Sequence, residues 1–429
     1  MQHPSSAQLY QAFQQHPSVC TDTRNLVEGS IFIALKGETF NGNEYAEKAL
    51  AGGCAIAIVD EEKYYQGDNY ILVEDCLKAL QTLAREHRRQ FSIPVIGITG
   101  SNGKTTTKEL LNAVLSEQYT VLCTQGNFNN EIGVPLTLLG LNVSHQIAII
   151  EMGARFQGDI EELVNIAEPT HGLITNVGKA HLETMGGLEG VVKTKTELYR
   201  YLEANNGNVF VRFEDAKLIQ HTNNLPIFTY GYAESADIIG TLKKEAPHIE
   251  FSWKKKSGEF GGDITSPLMG EYNFQNILAA IAVGVFFDVD DTKINKGIAN
   301  YNPTNNRSQI IKTDRNTLLL DAYNANPSSM EAALRNFVHM DGEGKTLILG
   351  EMLEVGDNSE AEHKAILHLA AELGFTEIYL VGDEFAKVSS AFDDAEKLRE
   401  YLRTEKLTGK TILIKGSRKN KLEMLVDVL

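Results

Sequence analysis

The 429-residue chain has no CxxC pair; its four cysteines, Cys20, Cys54, Cys76 and Cys123, are widely spaced in the N-terminal third. Such spacing gives no sign of a redox centre or zinc site and predicts isolated, buried thiols in a reducing compartment. Long apolar runs are also missing. The longest, Ile277 to Phe287, falls short of the ~20 residues a helix needs to cross a bilayer. The N-terminal MQHPSSAQLYQAF has no charged segment leading into an apolar core, so a cytoplasmic protein without membrane insertion is expected. Positive charge is in deficit, with 40 Lys and Arg against 57 Asp and Glu, a net charge of -17. That balance argues against a nucleic acid partner, which calls for a basic surface, while leaving room for a small anionic substrate in a local basic pocket. No fixed-period repeat or low-complexity tract is present, which excludes a solenoid or a disordered scaffold.

What is present is an ordinary globular composition, 42% hydrophobic and 23% charged, long enough for two to four domains. The runs SIFIALKG, AIAIVD and YILVED from Ser30 onward read as short strands, with helical segments near Tyr45 to Ala51 and Cys76 to Gln90. They make a small first α/β domain, residues 1–90. IPVIGITG then reads as a buried strand running into a glycine loop and the helix-forming TTTKELLNAVLSE, with further strands at VLCTQG, QIAIIEMG, HGLITNVG and NVFVRF. Strands alternating with helices imply a largely parallel sheet, here a central domain over 91–303. After Tyr301 to Asn306, a candidate hinge, the alternation restarts at NTLLLDAY, TLILGEM, EIYLVG and TILIKG, each expected to precede a helix. This predicts a Rossmann-like third domain, 304–429, and three α/β modules with clefts between them.

The densest chemical signal is Thr99-Gly100-Ser101-Asn102-Gly103-Lys104-Thr105-Thr106 between a predicted strand and helix. In that context backbone N–H groups and a helix N-terminus bind phosphate; Lys104 would reach the β- and γ-phosphates and Thr105 would ligate Mg2+. The spacing departs from GxxxxGK[ST], since Ile98 stands five residues before Gly103 and Gly97 one further back. A glycine turn with a solvent-facing lysine is the competing explanation, and the coincidence of strand, glycines, Lys-Thr-Thr and helix weighs against it.

The wording TGSNGKTT resembles the Mur ligase family and its relative folylpolyglutamate synthase, and further motifs follow in the family's order over nearly the whole chain. The resemblance implies ATP and Mg2+, two ions, with Gly100, Ser101, Asn102, Gly103, Lys104, Thr105 and Thr106 on the nucleotide. QIAIIEMGA places Glu151 at a strand end, NVGKAHLE supplies His181 and VVKTKTELY supplies Lys195, matching the family's metal and catalytic positions. Taken singly, these residues have bland explanations as a helix cap, a loop histidine and an exposed helix face; their order behind a phosphate loop favours the functional one. Lys195 is implied to carry CO2 as a carbamate that helps hold the second Mg2+, with Lys193 as its neighbouring competitor. Asn276 of MGEYNFQNILAAIA matches an adenine contact, and Arg307 and Asp321 match positions that close over ATP.

At the N-terminus, Asp22, Thr23 and Arg24 of TDTRNLVEGSIFIALKGETFNG match positions that hold the UDP end of the substrate. Asn127, Asn129 and Asn130 of TQGNFNNEIGVP match the loop beside the muramoyl-peptide. DAYNANPSSM and LGEMLEVG resemble the branch of the family that adds D-alanyl-D-alanine to UDP-N-acetylmuramoyl-tripeptide, with Asn324 and Asn326 near the dipeptide. A DNPR-type element of the diaminopimelate-adding branch is not found, and the KGSR run with Lys415 and Arg418 receives no role. The expectation is an ATP-dependent amide ligase of peptidoglycan precursor synthesis, acting as a monomer on small molecules. Another acid–amino-acid ligase of the family or of the folylpolyglutamate synthase type, or a non-catalytic ATP-binding relative, is the alternative.

Overall fold

The computed structural model describes residues 3–179, 182–246, 248–303, 306–353 and 355–429. Three sheets follow one another along the chain. The first has four parallel strands in sequence order, β1 (Val19–Cys20), β2 (Ile31–Ile33), β3 (Ile56–Val59) and β4 (Tyr70–Leu72). The helix Ser6–Gln15, unforeseen in the sequence, begins with a capping box between Ser5 and Gln8 and buries Leu9 and Phe13. Helix Cys76–Arg88 is capped by Asp75, whose side chain accepts from the Lys78 amide, and its far end ties this sheet to the next. Buried Arg88 donates to the carbonyls of Ala167 and Glu168, and His87 Nε2 lies 2.9 Å from the Leu141 carbonyl.

Two of the four thiols are not isolated as expected. Cys20 Sγ lies 3.6 Å from Cys54 Sγ, with Ser30 Oγ beside both. The parallel pairing of β1 with β2 and of β2 with β3 brings the two sulfurs together across 34 residues. Cys76 and Cys123 are single and buried.

The central sheet has nine strands in the order β13-β12-β11-β10-β9-β8-β5-β7-β6. β5 (Val95–Thr99), β6 (Val121–Cys123), β7 (Ile147–Glu151), β8 (His171–Ile174) and β9 (Asn208–Arg212) are the strands expected from their apolar runs, and all are parallel. β10 (Ile227–Gly231) and β11 (Ile238–Lys244) continue the parallel set, and β12 (Ile249–Lys255) and β13 (Phe260–Ser266) add an antiparallel hairpin. This extension was not foreseen. Its packing centres on the single tryptophan: Trp253 is buried, donates to Asn295 Oδ1 at 2.9 Å, and lies so close over Gly261 that a Cβ there would meet the indole at 2.3 Å. The apolar helix Glu271–Phe286 is core, buried against the helix Lys104–Leu115 and the sheet. Among the described residues no helix is long and apolar enough to cross a membrane.

The third sheet runs β14-β15-β18-β16-β17. β15 (Thr317–Asp321), β16 (Thr346–Gly350), β17 (Glu377–Val381) and β18 (Thr411–Lys415) are parallel, and β14 (Gln309–Lys312) adds an antiparallel edge. The first three parallel strands lead into α-helices as expected. The last does not: two 3₁₀ segments, Arg418–Asn420 and Leu422–Val428, follow β18, broken by Lys421 in the left-handed conformation. In the expected hinge, Thr304 and Asn305 lie outside the described residues, and Tyr301 is anchored, its hydroxyl donating to Glu109 Oε2 at 2.6 Å.

Candidate functional site

The carboxyl ends of the neighbouring strands β8, β5 and β7 lie together in the parallel part of the central sheet, and it is at the carboxyl ends of such strands that α/β sheets collect ligands. β5 delivers the loop Gly100–Gly103 and the helix Lys104–Leu115. Two glycines are required there. Gly100 has φ +144°, and a Cβ on it would stand 2.0 Å from Thr175 Oγ1; Gly103 has φ +78°, with a Cβ meeting Asn276 Oδ1 at 2.9 Å. The segment after β8 clamps the loop from the other side. The Ser101 and Asn102 amides donate to the Asn176 carbonyl and Oδ1, and Thr175 Oγ1 donates to the Asn102 carbonyl at 2.6 Å. Lys104 Nζ folds back onto the Gly100 carbonyl at 2.7 Å. The loop thus points a helix N-terminus and a lysine at one spot, a standard anion-binding arrangement. Gly103→Ala combines left-handed strain with a steric conflict. It is expected to weaken ADP binding on the order of tenfold or more in calorimetry, with an unchanged far-ultraviolet circular dichroism spectrum.

Glu151 ends β7 within reach of this loop and is 1% exposed. Its Oε1 accepts from Asn129 Nδ2 at 2.7 Å and Thr105 Oγ1 at 3.2 Å. Its Oε2 is buried with no hydrogen-bond partner. A buried carboxylate oxygen without a donor is costly unless a cation completes it, and with the Thr105 hydroxyl beside it the donor set is the all-oxygen kind suited to Mg2+. These residues fit such an ion. Among the described residues no three His, Cys, Asp or Glu side chains cluster into a metal site; His181 lies outside them.

Lys195 and Lys193 differ sharply. Lys195 is 2% exposed and Lys193 faces solvent, because both sit on the helix Gly187–Lys195 but on different sides. Burial, helped by the positive charge of Lys104, pulls the Lys195 amine down to about 7, against the partial opposition of Asp159 and Glu197. Glu197 is committed elsewhere, accepting from the Gly158 and Glu161 amides at the start of helix Asp159–Ala167. Near neutral pH this amine is therefore substantially uncharged and nucleophilic.

The third sheet presents its own strand ends to the loop. Asp321 is paired with buried Lys415 at 2.6 Å, and Lys415 Nζ also donates to the Asn324 carbonyl at 3.3 Å. Arg307 stacks over the Tyr323 ring at 3.8 Å with its Nε buried and without a partner. Asn276 is buried, donating to Asn273 Oδ1 at 3.2 Å while its amide lies against Gly103. Asn324 Oδ1 accepts from the Ala325 amide, and Asn326 caps helix Pro327–Phe337. Between the central and third domains lies a cleft of about 620 Å³, lined by Lys179, Leu188, Ser328, Arg335, Glu362 and Leu369 among others.

The remaining residues expected in the site are more dispersed. Arg24 pairs locally with Asp22 at 2.6 Å on the surface of the first domain, beside partly exposed Thr23. That pairing holds the Asp22 carboxyl down at about 2. Of the asparagine cluster only Asn129 reaches the buried centre; Asn127 is exposed, and Asn130 Oδ1 accepts from the Gly133 amide. Sequence reasoning missed Thr175, Asn176, Tyr323 and the buried Lys415–Asp321 pair; Thr175-Asn176 at a strand end, two positions before Gly178, was the one available signal.

Three family descriptions match the chain in succession: "Mur ligase family, catalytic domain" over 17–88, "Mur ligase middle domain" over 98–284 and "Mur ligase, glutamate ligase domain" over 306–418. The UDP-N-acetylmuramoyl-tripeptide--D-alanyl-D-alanine ligase of Bacillus subtilis is 35% identical over 96% of this chain and 92% of its own. A crystal structure of MurF from Acinetobacter baumannii superimposes with a TM-score of 0.88 at 30% identity, covering 100% of this chain and 98% of that one. MurF from Thermotoga maritima, solved in complex with ADP, gives 0.85 at 26% identity over 96% and 97%. With family descriptions matched in succession over most of its length and a relative 35% identical over 96% of it, the chain belongs to the Mur ligase family.

Proposed function

We propose that this chain is an ATP-dependent amide ligase of peptidoglycan precursor synthesis that joins D-alanyl-D-alanine to UDP-N-acetylmuramoyl-tripeptide. The observation that carries the reading is a phosphate loop with the unpartnered Glu151 oxygen beside it and a buried Lys195 near enough to feel the charge of Lys104, in a chain matched almost end to end by relatives bearing that name. A carboxylate is a poor electrophile. In the reaction we assign, a carboxylate oxygen of the tripeptide bonds to the γ-phosphorus of ATP as the bridge to ADP breaks. The dipeptide amine then attacks the acyl carbon, loses a proton and expels phosphate, leaving an amide.

The chain positions these reactants and neutralises their charge. Residues 1–90 take the UDP end through Asp22, Thr23 and Arg24, with Asn127, Asn129 and Asn130 along the muramoyl-peptide. Residues 91–303 take ATP on Gly100 to Thr106, with Lys104 on the transferred phosphate and Asn276 beside the adenine. Residues 304–429 close over the nucleotide with Arg307 and Asp321 and present the dipeptide near Asn324. Thr105, Glu151, His181 and Lys195 would hold Mg2+, which supplies positive charge against the crowded phosphate and carboxylate oxygens. The uncharged Lys195 amine is suited to add CO2 with loss of a proton, turning a neutral amine into a carboxylate-like ligand. We place the reaction in the cytoplasm and assign the active form as a monomer.

The test is phosphate release with ATP, Mg2+, D-alanyl-D-alanine and UDP-muramoyl-tripeptides carrying lysine or diaminopimelate, with mass analysis of the product. A mass gain of one dipeptide per phosphate released is expected. ATP binding without turnover on either acceptor would overturn the proposal in favour of a non-catalytic relative, and turnover with a single amino acid would favour another ligase of the family.

A further inference from the structure

The cap of helix Pro327–Phe337 makes a contact that capping does not need. Asn326 Oδ1 accepts from the Ser329 amide at 2.9 Å and the Ser329 hydroxyl oxygen in turn accepts from the Asn326 amide at 3.1 Å, which completes the cap. Asn326 Nδ2 is turned the other way and donates to Asn102 Oδ1 at 2.8 Å, across 224 residues and between two domains. Asn102 is the tip of the phosphate loop, and its backbone is held on both sides by Thr175 and Asn176. At the second residue of the same helix, Ser328 Oγ accepts from the Lys179 amide at 3.2 Å, and Lys179 Nζ pairs with Glu362 of the neighbouring helix at 3.0 Å. Both polar ends of the Asn326 side chain are thus engaged, and Asn326 is 4% exposed.

We infer that Asn326 is a positioning residue that sets the third domain in register on the phosphate loop, rather than a group that touches the dipeptide. The inference rests on the ligase reading above. Its physical basis is that the second chemical step needs the amine and the activated carboxylate in a fixed relation, and the bond from Asn326 to Asn102 is a direct link between the domain that presents one and the loop that prepares the other. A single amide-to-amide hydrogen bond is a modest contribution to binding, but a misplacement of about 1 Å in such a reaction costs up to ~100-fold in rate.

Asn326→Ser separates the two roles, since serine caps as well as asparagine but is too short to reach Asn102. Asn102→Ala removes the other partner and leaves the loop backbone contacts in place. Each single variant is expected to lower kcat about tenfold, with the KM for D-alanyl-D-alanine changed less than about twofold, and in Asn326→Ser, which leaves the phosphate loop intact, the affinity for ADP changed less than about twofold as well. The double variant is expected to be no slower than the slower single one. Multiplicative losses in the double variant, a rise in dipeptide KM with kcat retained, or full activity in Asn326→Ser would each overturn the assignment. Hydrogen exchange provides a readout independent of turnover: with ADP and Mg2+ bound, the amides of 328–330 are expected to exchange faster in both variants than in the natural chain, and equal exchange would overturn the contact. Absence of dipeptide-dependent turnover in the natural chain would instead sink the ligase reading, leaving the exchange result to decide on the docking.

Discussion

Replacing Lys195 with methionine is expected to abolish turnover, on the order of 10³-fold or more, and at the same time to make the protein harder to unfold at pH 7. The two effects have one cause. The amine is buried, and burial has drawn it from its ordinary 10.5 to about 7. Below pH 7 the folded chain holds a charged ammonium in a dry place, and the unfolded chain holds it in water, so the full cost is present there. Between pH 7 and 10.5 the folded state has released the proton and the unfolded state has not. The natural chain therefore gains stability through this group as pH rises across that window. The shift corresponds to roughly 3–5 kcal/mol at most. A buried methionine has no charge to desolvate, so its advantage in unfolding midpoint should be largest at pH 7 and below and should fade towards pH 10. Thermal unfolding of both proteins from pH 6 to 10, in CO2-depleted and Mg2+-free buffer, checks this. A pH-independent difference would mean that Lys195 is not the buried amine described here.

Glu151→Gln should bring the second largest loss. The glutamine keeps the shape, and its Oε1 can still accept from Asn129 and Thr105. What disappears is the charge on Oε2, the buried oxygen with no donor of its own. If that oxygen is a cation ligand, turnover should fall on the order of 10²- to 10³-fold, and the Mg2+ concentration for half-maximal rate should rise at least about tenfold. ADP binding in the absence of Mg2+ should change little, because Glu151 is placed to meet the ion and not the nucleotide. A variant with normal Mg2+ dependence would reduce Glu151 to a structural acceptor for Asn129.

How legible these features were follows from their physics. The parallel strands β5, β7, β8, β16 and β18 are buried along their whole length and appear in the sequence as short, mainly apolar runs. The hairpin β12–β13 has one solvated face and carries glycines and charges, FGGDITS above all, so its pattern is broken and was passed over. β1 is two residues long and β14 is only half-buried at an edge, too little signal in either case. In the site, the phosphate loop is local and therefore readable. The choice between Lys193 and Lys195 depends on which side of one helix faces inward, and the Asn129–Glu151, Lys415–Asp321 and Asn326–Asn102 contacts join residues 22, 94 and 224 positions apart. No spacing rule reaches that far.

The buried cysteines have a practical side. All four are inside the first and central domains, and burial raises the Cys20 thiol to about 11, Cys123 to about 12 and Cys76 higher still. Thiolate is the reactive form, so at neutral pH the native sulfurs are slow towards maleimide dyes. A new cysteine at Val143, 97% exposed on the central domain, and another on the outer face of the third domain would then be the fast-labelling thiols in an otherwise unaltered chain. Energy transfer between two such dyes makes the distance between the two domains, and any change in it on adding nucleotide, measurable one molecule at a time.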